Sequence, residues 1–180
     1  MSHQIFVILR PDEKDIARAS SLAARCSRLG RGLLDPEKYH EDDEAAYKRC
    51  TKLLGMPIPH LSPFRQILIQ AVITTDIAVS RELLRDGFLE AVEESTRYSV
   101  EGSTQDEKDM ARRELPLGHD TTLVVADSLE GWAHIYLTRK RGPCDVRMRE
   151  LMEELNVEMT EDYPILWPLM VDAKRRQYLP

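Results

Sequence analysis

Apolar residues change their spacing several times along the chain, and each change marks an element. Residues 4–9 (QIFVIL) are short, apolar and β-branched, which predicts a buried strand ended by Arg10-Pro11. Asp12 caps a helix in which Ile16, Ala19, Leu22, Ala23 and Cys26 return on one face up to Gly30. After a loop broken by Gly32 and Pro36, residues 42–54 place Ala45, Ala46, Cys50, Leu53 and Leu54 at helical spacing. Pro57, Pro59 and Pro63 forbid a continuous helix beyond that point. Residues 64–74 alternate through Ile67, Ile69, Ala71 and Ile73, with Leu68 and Val72 opposite, which predicts a strand packed in part on both faces. From Thr75 or Asp76 a helix runs to about Arg85 and stops at Asp86-Gly87.

The second half continues in the same way. A short strand is predicted over residues 98–101, a helix over 106–114, and a strand over 121–126 (TTLVVA). Ser128 caps a helix that extends through Arg139. Arg141-Gly142-Pro143 breaks it, and residues 145–159 form another helix carrying Val146, Met148, Leu151, Met152, Leu155 and Met159. The tail, with Pro164, Trp167 and Pro168, reads as a C-terminal arm over 160–180. Together these elements predict an α+β (mixed α/β) chain: one domain over residues 1–180, with a small central sheet of three main strands flanked by helices.

Composition narrows the partners. The chain is 42% hydrophobic and 31% charged, and no eighteen-residue apolar run is present, so a membrane span is excluded by the sequence. The start lacks the basic flank and cleavage site of a secretory signal, which predicts a cytoplasmic protein with no membrane partner. A formal charge of -6 argues against nucleic-acid binding through phosphate neutralisation, yet leaves room for a small phosphorylated ligand held by a local arginine cluster. Cys26, Cys50 and Cys144 are odd in number, far apart and without a CxxC pair, so neither a disulfide framework nor a zinc site is expected. No metal ligand set is predicted.

Candidate chemistry gathers after residue 84. Glu93, Ser95 and Arg97 alternate beyond a helix stop, so an extended backbone points all three the same way. A hydroxyl and a guanidinium so placed suit a phosphate; the alternative is a solvated loop with an ion pair. His60 lies between two prolines with no second histidine at metal-ligand spacing. Arg112-Arg113, Arg139-Lys140-Arg141 and Arg175-Arg176 are basic clusters that become a site only if they converge.

The order His60-Leu61-Ser62, a strand, a helix ending Leu84-Arg85, and then Glu93-Glu94-Ser95-Thr96-Arg97-Tyr98-Ser99 resembles the flavin-dependent thymidylate synthases. Their hallmark runs Arg-His-Arg-x-x-Ser-x-Asn-Glu-x-Ser-x-Arg. Here Arg85, Glu93, Ser95 and Arg97 match it, while Asp86, Gly87, Glu90 and Val92 replace four of its members. Arg112 before Leu115-Pro116, the strand at 121–126 and Arg139 follow in the family's order, so the likeness covers about residues 4 to 155.

The resemblance implies that Arg85, Glu93, Ser95, Arg97, Arg112 and Arg139 bind a pyrimidine nucleotide monophosphate such as dUMP or UMP, with Ser95 and Arg139 catalytic. It places His60, Ser62 and His134 at a cofactor. FAD is the family's hydride donor, but most of the motif that holds it is replaced; methylenetetrahydrofolate is the family's one-carbon donor. Methylation or hydroxymethylation at uracil C5, with or without flavin, is the activity implied. A catalytically inactive nucleotide-binding or hetero-oligomer assembly protein, and flavin-independent nucleotide cleavage, are the alternatives. The resemblance further implies a homotetramer with shared active sites.

Overall fold

The computed structural model describes residues 4–29, 41–85, 89–95, 100–141 and 143–178. Among them, strand β1 (Gln4–Leu9) leads into α1 (Glu13–Leu29), followed by α2 (Asp43–Leu54) and a 3-10 turn (Ser62–Arg65). Next come β2 (Leu68–Asp76), α3 (Ile77–Leu84), β3 (Glu90–Glu93), α4 (Gln105–Arg113), β4 (Asp120–Ser128), α5 (Leu129–Arg139), α6 (Val146–Asp162) and α7 (Leu166–Tyr178). The fold is α+β.

The four strands form one antiparallel sheet in the order β1-β2-β4-β3. The long central pair runs in register from Leu68 opposite Ser128 to Asp76 opposite Asp120. Ile69, Ala71 and Ile73 on β2 and Leu123 and Val125 on β4 are buried, whereas Val72 and Val124 between them are half-buried. That alternation places the main core on one face of the pleat.

Helix α5 lies at the centre of the helical layer, touching β4, the 3-10 turn, α6 and α7. Leu129, Trp132, Ala133 and Ile135 on it are wholly buried, and the Trp132 indole N–H donates to the Ile69 carbonyl at 3.0 Å. A polar handle on a large apolar body thereby ties helix to sheet. Cys50 packs in the same core, where burial pushes its thiol up to about 12 and keeps it inert.

The pattern also produced errors. Residues 64–67, expected as the start of a strand, belong instead to the 3-10 turn and its exit, because Pro63 at the turn's start favours a tight helical turn. Glu90–Glu93 is a strand that the sequence pattern did not show. Of the strand expected at 98–101, Val100 and Glu101 are not extended-paired, and Tyr98 and Ser99 lie outside the described residues. The C-terminal arm is a thirteen-residue helix that buries Leu166, Trp167, Met170, Val171 and Ala173. Pro168 is its third residue, where a missing N–H forfeits no intrahelical bond. Glu13 of α1 accepts from the amides of Ile165 and Leu166 at 2.9 and 2.5 Å, so a residue 152 positions away satisfies the helix start.

Candidate functional site

Two strand-to-helix junctions set the geometry. Asp76 ends β2 and caps α3, its Oδ1 accepting from the Val79 amide at 2.8 Å while Oδ2 pairs with Arg147 of α6. Ser128 ends β4 and caps α5 through the Gly131 amide, as the sequence predicts. At the first junction the Ile77 and Ala78 amides donate to the carbonyls of His119 and Leu117 at 3.0 and 3.1 Å. The loop after α4 is therefore stitched to the start of α3.

That stitching brings basic residues together. Arg81 of α3 meets Arg112 and Arg113 of α4 around a recess of about 330 Å³, whose apolar part is Ile77, Leu115 and Leu117. Arg112 also touches Asp109 one turn back at 3.5 Å. The position of α4 depends on a full capping box: the Glu107 amide donates to Thr104 Oγ1, and the Thr104 and Ser103 amides donate to Glu107. Gly102 precedes it with a φ of 153°, and a Cβ there would stand 2.9 Å from Lys108 Cγ.

Glu93 is clamped from α3 and β4. Its Oε1 accepts from Ser80 Oγ at 2.5 Å and from Thr121 Oγ1 at 3.2 Å, and the following Glu94 amide donates to the Thr122 carbonyl at 2.8 Å. Ser80 adjoins Arg81, so the carboxylate and the arginine recess share helix α3. Ser95 lies two residues beyond Glu93 with its side chain exposed, and Arg85 is exposed at the end of α3. Asp86, Gly87 and Arg97 lie outside the described residues.

Arg139, the last residue of α5, joins a different side of α3. Glu82, Arg139 and Arg149 surround Cys144, whose thiol is pushed up first by burial and then by Glu82, with the two arginines opposing.

The three cofactor candidates do not meet within one chain. His60 and Ser62 edge a recess between α1, α2 and the 3-10 turn. His134 lines another, of about 310 Å³, where its Nδ1 shares a hydrogen bond with the Tyr178 hydroxyl. Asp127 and Glu130 line that second recess as well, and one Asp127 oxygen is buried without a hydrogen-bond partner among the described residues. Arg65 and Lys174 line it too and pair with Glu130, so the charge of this recess is mixed.

Burial raises the Asp127 carboxyl above its ordinary value of 3.8, with hydrogen bonds from Ser128 opposing. A carboxyl whose folded value is raised binds its proton more tightly in the folded chain. Stability is therefore expected to fall as pH rises from 3.8 through the folded value. Thermal melts of the wild type and Asp127→Asn across that range check this: the difference between the two should carry a falling slope that the substitution removes.

The sequence pointed to Glu93 and Arg112 and missed Arg81, Ser80 and Thr121. Arg81 stands four residues before Arg85, one turn along the same helix face, and that spacing was the available signal. Nothing in the sequence announces that the 117–119 loop returns to α3.

No protein-family model and no curated protein matches the sequence. Among solved structures, the chain is similar to the crystal structure of a UMP/dUMP methylase, PolB from Streptomyces cacaoi, bound with 5-Br dUMP. The TM-score is 0.71 at 16% identity, over 93% of this chain and 94% of that one. The two share a fold. At that identity the likeness establishes architecture, and function has to be argued from the site.

Proposed function

We propose that the recess beside α3 holds the phosphate of a pyrimidine nucleoside monophosphate, dUMP or UMP, and that the chain transfers a one-carbon unit to uracil C5. The observation that carries this reading is the convergence of Arg81, Arg112 and Arg113 on one recess at α3, the helix whose Ser80 also clamps Glu93. Guanidinium groups supply paired donors to phosphate oxygens, and Ile77, Leu115 and Leu117 add apolar surface beside them. The fold shared with a methylase that was crystallised with 5-Br dUMP supports it independently.

In this reading Ser95 donates to the nucleotide, and Arg139 draws charge onto a uracil carbonyl while a nucleophile such as hydroxide adds at C6, which makes C5 nucleophilic, and leaves C6 again once C5 is substituted. The new bond joins C5 to the methylene carbon of methylenetetrahydrofolate; the C5 proton leaves, and the folate nitrogen departs with its electron pair. A methyl product requires one further hydride, which is the chemistry a reduced flavin supplies; a hydroxymethyl product requires only water. The proposal includes the homotetramer, with the half-exposed sheet face around Val72 and Val124 as the surface such an assembly would cover.

Calorimetry with dUMP, UMP, CMP and dTMP tests binding. Mass spectrometry of the nucleotide after incubation with methylenetetrahydrofolate, with and without reduced FAD, tests transfer. Heat with the uridylates and a methyl or hydroxymethyl mass gain are expected. Binding with no mass change in either condition would leave a nucleotide-binding protein, and absence of heat with all four would overturn the assignment.

A further inference from the structure

Helices α3, α5 and α6 bring a second set of polar groups together around Cys144. The Cys144 thiol donates to the Thr138 carbonyl in the last turn of α5 at 3.6 Å, and its amide donates to the Arg141 carbonyl at 3.0 Å. That fold-back sets the thiol against Glu82 of α3, within reach of the charges of Arg139 from α5 and Arg149 from α6. Glu82 and Arg149 are half-buried and form no ion pair among the described residues, and Arg149 Nε is enclosed without a hydrogen-bond partner there. A carboxylate and a guanidinium that face one thiol without pairing to each other keep their hydrogen-bonding capacity for a third group.

Arg81 and Glu82 are consecutive on α3, so the arginine recess and this cluster lie on adjoining sides of one helix. A helix with its side chains is about 10–12 Å across, which is the scale of a nucleoside monophosphate from phosphate to base edge. A phosphate on Arg81 therefore leaves the base within range of Glu82. Uracil presents an acceptor at O4, a donor at N3–H and an acceptor at O2. Its complement is a donor, an acceptor and a donor, the set that two guanidiniums and one carboxylate supply. Cytosine carries an amino group at position 4 and a bare acceptor at N3, so it would set a lone pair against the Glu82 carboxylate and an amine against a guanidinium.

We infer that Glu82 and Arg149 select the base: Glu82 accepts from uracil N3–H, while Arg149 and Arg139 each donate to one of the flanking carbonyls. The inference rests on the uridylate reading above and adds to it the two residues that reject cytosine. Calorimetry of the full chain with dUMP and dCMP tests it. The wild type is expected to bind dUMP at least tenfold more tightly than dCMP. Glu82→Gln keeps the shape but offers an amide that can turn its NH2 toward cytosine N3, so the dUMP-to-dCMP ratio should fall about tenfold. Arg149→Met keeps the apolar stem and should weaken dUMP about tenfold. Arg81→Ala should weaken both nucleotides by the same factor, since both carry the same phosphate.

Equal binding of dUMP and dCMP by the wild type, a ratio unmoved by Glu82→Gln, or normal dUMP binding by Arg149→Met would each overturn the inference, while dUMP binding itself would still support the phosphate recess. No binding of dUMP by the wild type would overturn the uridylate reading together with this one. Circular dichroism of each variant shows that it is folded.

Discussion

Replacing Glu130 by alanine is expected to lower the unfolding free energy by about 3–5 kcal/mol, read as a shift of the urea midpoint. Glu130 sits in the first turn of α5 with its side chain only 6% exposed, pairing with Lys174 of α7 and with Arg65 Nε at 2.6 Å. Lys174 is itself nearly buried, so removing the carboxylate strands a positive charge between two helices. Arg65 is largely in water and its share is small. The double substitution Glu130→Met/Lys174→Met should recover much of the loss, since two apolar side chains of similar length leave no charge unpaired. A single-variant loss below about 1 kcal/mol would show that water reaches Lys174.

Acidity provides a second reading of the same triad. Burial alone would raise the Glu130 carboxyl, but the hydrogen bonds and charges of Arg65 and Lys174 together outweigh it and hold the group below its ordinary 4.5. The stability it contributes is complete above 4.5 and is lost as pH falls through the folded value. Its sign is opposite to that of Asp127, three residues earlier.

The second large effect concerns the arginine recess beside α3, proposed above to hold a uridylate phosphate. Arg81→Ala is expected to weaken dUMP binding about tenfold to a hundredfold by calorimetry, as losing a charge-assisted pair of donors implies. Arg112→Ala should do the same. Both residues lie toward solvent, so melting temperatures should barely move. An Arg81→Ala variant that binds dUMP normally, beside a Ser95→Ala variant that does not, would place the phosphate away from the recess.

Elements with an internal period were legible in the sequence. β1, α1, α2 and α5 follow from apolar spacing, and the start of α5 from Ser128 as well, because local capping chemistry is written within four residues. β3 was hidden because all four of its residues are exposed and two are glutamates; it exists through pairing with β4 at the sheet edge, which a local pattern cannot express. α7 was hidden by its prolines and by a start satisfied from Glu13, far away in the chain. The site divided in the same way. Glu93 and Arg112 belong to motifs, whereas Arg81 and the Ser80 and Thr121 clamp arise from chain return. The resemblance covered Glu93 and Arg112 and, through His60 and Ser62, one edge of the recess between α1 and α2, whose Arg25 and Arg49 belong to no motif.

Strands β2 and β4 pass into α3 and α5 with no residue between them, so pairing register and helix phase are one variable. A slip of one residue in the β2–β4 ladder would turn every side chain of the strand to the opposite face. The same slip would also rotate the attached helix by about 100°, carrying Arg81 off its recess and Glu130 away from Lys174. Misregistered intermediates therefore lose the core, the ion triad and the binding groups together. During folding, these junctions act as a proofreading device: an incorrect pairing finds no partial reward that would hold it.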